Sequence, residues 1–168
     1  ARFRGPIMAT LDALADGAPD SAWRRAVRYS PFPARRDSAE RAATALWDRV
    51  SPVAIISIER LGPNSRGVTH NAKGEDVTAA HAGVESLLTL ARRRGVLTIG
   101  VGDRGNELGF GSIMTRRSRI ASLARPCACP CRSTITCTVP AEVVVVASVS
   151  NWGAYAMVAG LAIRLGDA

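Results

Sequence analysis

The chain predicts an α/β fold: a three-layer sandwich with a mostly parallel sheet and helices on both faces. Two observations carry this. Apolar runs of strand length, Val53–Ile58, Leu97–Val101 and Val143–Val149, are continuous rather than alternating, as in strands covered on both faces. Stretches of helical period stand between them and after the last, the strand–loop–helix alternation of a parallel sheet. With 168 residues, 47% of them hydrophobic, the chain suits a single domain over 1–168.

The N-terminal part, 1–37, is poorly defined: Leu11–Ala15 and Ala22–Val27 read as short helical pieces broken by Gly17 and Pro19. Tyr29–Arg36 holds two prolines and reads as a loop. From Ser38 to Val50 apolar residues recur with helical spacing, and Asp37 or Ser38 is placed to cap the start. The strand Val53–Ile58 stops at Glu59, and Leu61–Val77 is a long polar loop. Thr78–Arg94 predicts one helix, with Ala79, Ala82, Gly83, Leu87, Leu90 and Ala91 on its apolar side and Gly95 as its stop. After the strand Leu97–Val101 and its glycine-rich loop, Phe110–Leu123 predicts a helix or helical turns. Pro126–Cys131 is irregular and Ile135–Thr138 a short strand. Val143–Val149 is the strongest strand, Ser150–Gly153 its terminal loop, and Ala154–Leu165 an apolar helix.

A net charge of +8 raises the question of nucleic acid. The arginines lie in scattered pairs and triplets without interleaved aromatics to stack bases, so solvated helix faces are expected rather than specific nucleic-acid binding. No apolar run reaches the roughly 20 residues of a membrane helix, and no signal-peptide core stands at the start, so a cytoplasmic protein is expected. The chain begins without Met and is expected to represent a fragment, a processed form or a partial domain. Cys127, Cys129, Cys131 and Cys137 do not match paired CxxC spacing, and no His lies near them in sequence. Free thiols are expected, with a metal or redox role as the lesser reading. Oligomeric state is not written in the sequence; a homo-oligomer stays open.

The most informative stretch is LTIGVGDRGNELGFGS, Leu97–Ser112. Asp103 and Glu107 stand among four glycines just past a strand, where α/β sheets bind their ligands. The loop lacks the ending of a phosphate-binding loop and the dinucleotide spacing, so no nucleotide cofactor is expected. Parallel strands would bring Glu59, Asp103, Asn106, Glu107, Ser150 and Asn151 to one sheet edge, joined from the long loop by His70, Lys73, Glu75 and Asp76. Clustered carboxylates repel, so they call for a cation, a basic partner or raised pKa values. An all-oxygen set of Glu59, Asp103 and Glu107 suits Mg²⁺, Mn²⁺ or Ca²⁺ better than zinc, with Mg²⁺ or Mn²⁺ as the expected ion. Taken singly, Glu59 also fits an ordinary strand end, Asp76 a helix cap and His70 a surface loop.

Four blocks, AIISIER (Ala54–Arg60), HNAKGEDVT (His70–Thr78), TIGVGDRGNELGFG (Thr98–Gly111) and CTVPAEVVVVASVSNWGAYA (Cys137–Ala156), occur in the order and spacing of a known family. Through them the chain resembles the D-glutamate cyclase C-terminal-like family over about its last two-thirds. Arg104 stands where that family usually has Gly, and Glu142 where it has Asp. The resemblance implies an α/β domain and, for the eukaryotic member, cyclodehydration of D-glutamate to 5-oxo-D-proline. The first expectation is therefore a lyase acting on a small acidic substrate. A divalent cation on Glu59, Asp103 and Glu107 would polarise the carboxylate, Glu75 or Asp76 would shuttle protons, and Arg104 or Lys73 would hold the α-carboxylate. Asn106, Ser150, Asn151 and His70 would complete the substrate site. The second expectation is a metal-dependent hydrolase of phosphate esters on the same residues. The third is a non-catalytic protein binding RNA or an acidic partner through its arginines.

Overall fold

The structure, a computed structural model, describes residues 4–16, 27–114 and 126–166. The chain forms two compact units, Ala1–Phe32 and Pro33–Ala168. In the first unit α1 spans Arg4–Asp16 and so starts earlier than Leu11. Pro6 lies in its first turn, where a missing N–H costs nothing, and its carbonyl accepts from Thr10 Oγ1 at 2.9 Å. The second helical piece, expected from Ala22, lies outside the described residues except for Val27, which is not helical.

The second unit is built on three parallel strands, β1 (Ala54–Ile58), β2 (Leu97–Gly102) and β3 (Val143–Val146), in the order β1-β2-β3. Register pairs Ser57 with Gly100, and Val101 with both Ile58 and Val145. α2 (Arg36–Val50) precedes β1; a 3-10 turn (Thr78–Ala80) and α3 (Glu85–Arg93) lie between β1 and β2, α4 (Gly111–Met114) between β2 and β3, and α5 (Ser150–Leu165) follows β3. One sheet face, carrying Ile55 and Gly100, meets Leu108 and Leu88 of α3 in a core with Cys137 and Ala141. The opposite face, carrying Val101 and Val145, meets α5 at Gly153. Helices therefore flank both faces, and the expected α/β architecture stands. Outside α3, α2 packs on that helix through the Arg94 guanidinium, 4.8 Å from the Trp47 ring centre.

Several expectations need correction. α2 starts at Arg36, and neither Asp37 nor Ser38 caps it: its N-cap is Arg35 with no side-chain hydrogen bond. The helix expected over Thr78–Arg94 is divided. The Gly83 N–H leaves the helical pattern to donate to the Pro33 carbonyl at 2.8 Å, and a Cβ at Gly83 would meet the Ala39 Cβ at 2.8 Å. Only Leu88 and Ala91 of α3 are buried, whereas Leu87 and Leu90 are not. Gly95, at φ +68°, does stop the helix. β1 is an edge strand covered incompletely on the α5 side, where Ile56 is 51% exposed. Ile135–Thr138 forms no strand; single bridges at Thr134 and Pro140 flank it. β3 stops at Val146, and α5 begins at Ser150, so the expected terminal loop is the helix's first turn. Of Phe110–Leu123 only α4 is helical within the described residues, and 115–123 lie outside them. Among the described residues no helix is long and apolar enough to cross a membrane.

Candidate functional site

The site forms where β1 and β2 leave the sheet. Glu59 adopts φ +54° and makes the last ladder bond, its N–H donating to the Val101 carbonyl at 3.2 Å. The loop after β2 is zipped to this exit. Leu108 N–H donates to the Arg60 carbonyl at 2.7 Å, and Gly62 N–H to the Asn106 carbonyl at 2.9 Å. Gly102 has no Cβ because the Glu107 carboxylate and the Phe110 ring occupy that space. Gly105, at φ +89°, turns the chain so that its N–H reaches Glu107 Oε2 at 2.8 Å.

Glu107 thus folds back into its own loop, accepting also from the N–H groups of Asp103 (3.4 Å) and Arg104 (3.2 Å). It is 2% exposed. Burial pushes its pKa above the ordinary value; the backbone donors oppose this, and a side-chain hydrogen bond shared with Asp103 adds to it. Carboxylate oxygens of Glu59, Asp103 and Glu107 all lie within 4.8 Å of one another, so this group could hold a metal ion. Glu59 is exposed, Asp103 half-buried, and Arg104 Nε stands 3.6 Å from Asp103 Oδ1. The trio that the sequence singled out on separate strand ends is brought together.

Other expected site residues take different places. Asn106 is 1% exposed: its Nδ2 donates to the His70 carbonyl at 2.8 Å, while Oδ1 has no hydrogen-bond partner among the described residues. Ser150 Oγ, in the buried first turn of α5, is likewise unpartnered, and Asn151 beside it is exposed. Lys73, Glu75 and Asp76 sit in a self-bonded loop. Asn71 Oδ1 accepts from the N–H groups of Lys73 and Glu75, and Asn71 Nδ2 donates to Glu75 Oε2 at 2.5 Å. Asp76 accepts from Thr78 Oγ1 at 2.6 Å and Thr78 N–H at 2.9 Å, which hold its carboxyl below the ordinary range. Asp76 also lines a groove of about 1350 Å³ with Arg36, Glu40, His81 and Arg93; none of the three clustered carboxylates borders it.

The imidazole of His70 turns towards the cysteines. Its Nε2 lies 3.1 Å from Cys129 Sγ and 3.7 Å from Cys131 Sγ, and Cys127 Sγ is 3.4 Å from Cys131 Sγ. The reading of these thiols as having no histidine nearby held only along the chain: the fold supplies one from the long loop between β1 and β2. Cys137 stands apart in the core, where burial pushes its thiol up to about 12. No local signal joins His70 to Cys127–Cys131, which is why sequence reasoning left these cysteines out of any site.

A family profile described as D-glutamate cyclase-like, C-terminal matches residues 12–168. Over 111 residues the chain is 33% identical to the Homo sapiens protein named D-glutamate cyclase, mitochondrial. That match spans 64% of this chain and 16% of the relative. With the parallel sheet and the acidic loop in place, the chain belongs to the D-glutamate cyclase-like C-terminal family.

Proposed function

We propose that this domain is a lyase of the D-glutamate cyclase type, closing D-glutamate or a related acidic amino acid to 5-oxo-D-proline with loss of water. The observation that carries the reading is the convergence of Glu59, Asp103 and Glu107 within 4.8 Å at the sheet's carboxyl edge. Family membership and the name of the human relative point the same way.

Ring closure is intramolecular, so the catalytic demand is mainly charge handling and orientation. The substrate's ammonium must lose a proton before nitrogen attacks the γ-carbon. The C–N bond then forms, a C–O bond breaks, and that oxygen leaves as water with two protons from nitrogen. The side chain of Glu59 or Asp103, at the open side of the cluster, is placed to take the first proton. Glu107, which holds its own proton to higher pH, is suited to supply the departing oxygen through Asp103, its hydrogen-bond partner. The Arg104 guanidinium offers a partner for the α-carboxylate, and the unpartnered Asn106 Oδ1 and Ser150 Oγ offer buried acceptor and hydroxyl groups for orientation. Mg²⁺ or Mn²⁺ would sit chiefly on Glu59 and Asp103, because Glu107 already accepts from three N–H groups, and would polarise the γ-carboxylate as a Lewis acid. A cytoplasmic setting belongs to this reading.

Purified protein incubated with D-glutamate, with and without Mg²⁺ or Mn²⁺, is expected to release 5-oxoproline detectable by mass spectrometry. Asp103→Asn is expected to lower the rate by about 10²–10⁴-fold, the usual cost of a lost acid–base group. No product under any of these conditions overturns the reading.

A further inference from the structure

We propose that His70 Nε2 and the Sγ atoms of Cys127, Cys129 and Cys131 form a closed, four-ligand zinc site. All four atoms lie within 4.8 Å of one another. Zinc–sulfur bonds of about 2.3 Å and zinc–nitrogen bonds of about 2.0 Å in a tetrahedron put neighbouring ligand atoms about 3.5–3.8 Å apart. The separations here are 3.4 Å (Cys127–Cys131), 3.7 Å (Cys127–Cys129), 3.7 Å (His70–Cys131) and 3.1 Å (His70–Cys129). The sulfur atoms are far beyond the roughly 2.05 Å of a disulfide, so covalent pairing does not explain the cluster. Three soft sulfurs with one imidazole select zinc over the hard cations suited to carboxylates.

A second observation points to a ligand. His70 is fully buried, and its Nε2 is aimed into the thiols, 3.1 Å from Cys129 Sγ and 3.7 Å from Cys131 Sγ. A buried imidazole facing three thiols gains little from their weak hydrogen bonds, whereas a metal would satisfy all four ligands at once. The surroundings also fit a thiolate site. Asn64 Nδ2 stands 3.5 Å from Cys131 Sγ, and the Cys131 N–H donates to Cys129 Sγ at 3.4 Å. Such outer donors orient ligands and spread their charge.

The chain approaches closely here by design of its glycines and turns. Gly74, at φ +85°, lies against the Cys127–Ala128 backbone, where a Cβ would come within 2.9 Å of the Ala128 nitrogen, and the Ala128 N–H donates to the Gly74 carbonyl at 3.0 Å. Asn64 Nδ2 also donates to the Thr134 carbonyl at 2.8 Å. The metal would therefore staple the long loop after β1 to the segment before β3. With every position taken by protein, its role is structural rather than catalytic.

The test measures metal in the full chain purified without chelator, independently of turnover. Elemental analysis is expected to give close to one zinc per chain. Cobalt(II) exchanged for it should show thiolate charge-transfer bands and intense tetrahedral visible bands. Removing zinc with a strong chelator should lower the thermal midpoint, and adding zinc back should restore it. Cys129→Ser with Cys131→Ser should bring zinc to near zero, while Cys137→Ser and Asp103→Asn keep it. Zinc near zero in the wild type after zinc-replete expression overturns the proposal. So does full zinc content in the double variant, and so does a cobalt spectrum without sulfur ligation. Because Asp103→Asn separates the acidic cluster from the thiol cluster, loss of cyclase activity and loss of zinc are distinguishable results.

Discussion

Glu107 embodies a conflict between solvation and hydrogen bonding. Burial favours its neutral form, while three backbone donors favour the carboxylate, and burial wins. The folded state therefore binds this proton more tightly than the unfolded chain, whose glutamates titrate near 4.5. Its contribution to stability is complete below that value and declines as pH rises through the raised folded pKa. Asp76 runs the opposite way: its lowered pKa stabilises above 3.8 and is lost on acidification. Comparing denaturant midpoints of wild type and Glu107→Gln against pH isolates the first effect. The difference should shrink as pH climbs above 4.5, from a starting cost of about 1–3 kcal/mol for donors left poorly matched; a gap independent of pH would contradict the assignment. The acid residues were legible because carboxylates among glycines past a strand have few structural uses. His70 was not, since its meaning depends on residues far along the chain that meet it only in three dimensions.

At the level of elements, the close seam is between β2 and the loop that follows it. A Cβ on Gly100 would strike the Leu108 carbonyl and come within 2.8 Å of the Gly109 Cα. Alanine in a strand centre ordinarily gains over glycine, so the sign of the substitution is diagnostic. Gly100→Ala is expected to lower stability by about 1–3 kcal/mol, read from the denaturation midpoint; a neutral or stabilising result would show that the loop does not press on the strand. The three strands were readable because uninterrupted apolar runs have few alternatives in a chain of this composition. The divided helix was not: local propensity supports it from Thr78 onward, and only the packing of Gly83 against Ala39 and Pro33 breaks it. The boundaries of β3 and α5 moved for a similar reason, because Ser150 is buried and Gly153, with no side chain, lets the first helical turn lie against Val101 and Val145.

At the scale of the molecule, the apolar core, the carboxylate trio and the thiol cluster all belong to Pro33–Ala168. A chain starting at Pro33 is accordingly expected to keep one cooperative thermal transition and its metal content; a non-cooperative melt would show that the first unit is needed for folding. α5 is apolar around its whole circumference, yet only Ser150, Gly153 and Ala154 are buried, leaving Trp152, Tyr155, Val158 and Leu161 at the surface. Asn106 has a particular position in this body, since its side chain grips the His70 carbonyl while its own carbonyl holds Gly62. Hard-oxygen and soft-sulfur chemistry are thereby kept one amide apart, and a displacement of the histidine's peptide would be felt at the acidic turn without passing through the sheet.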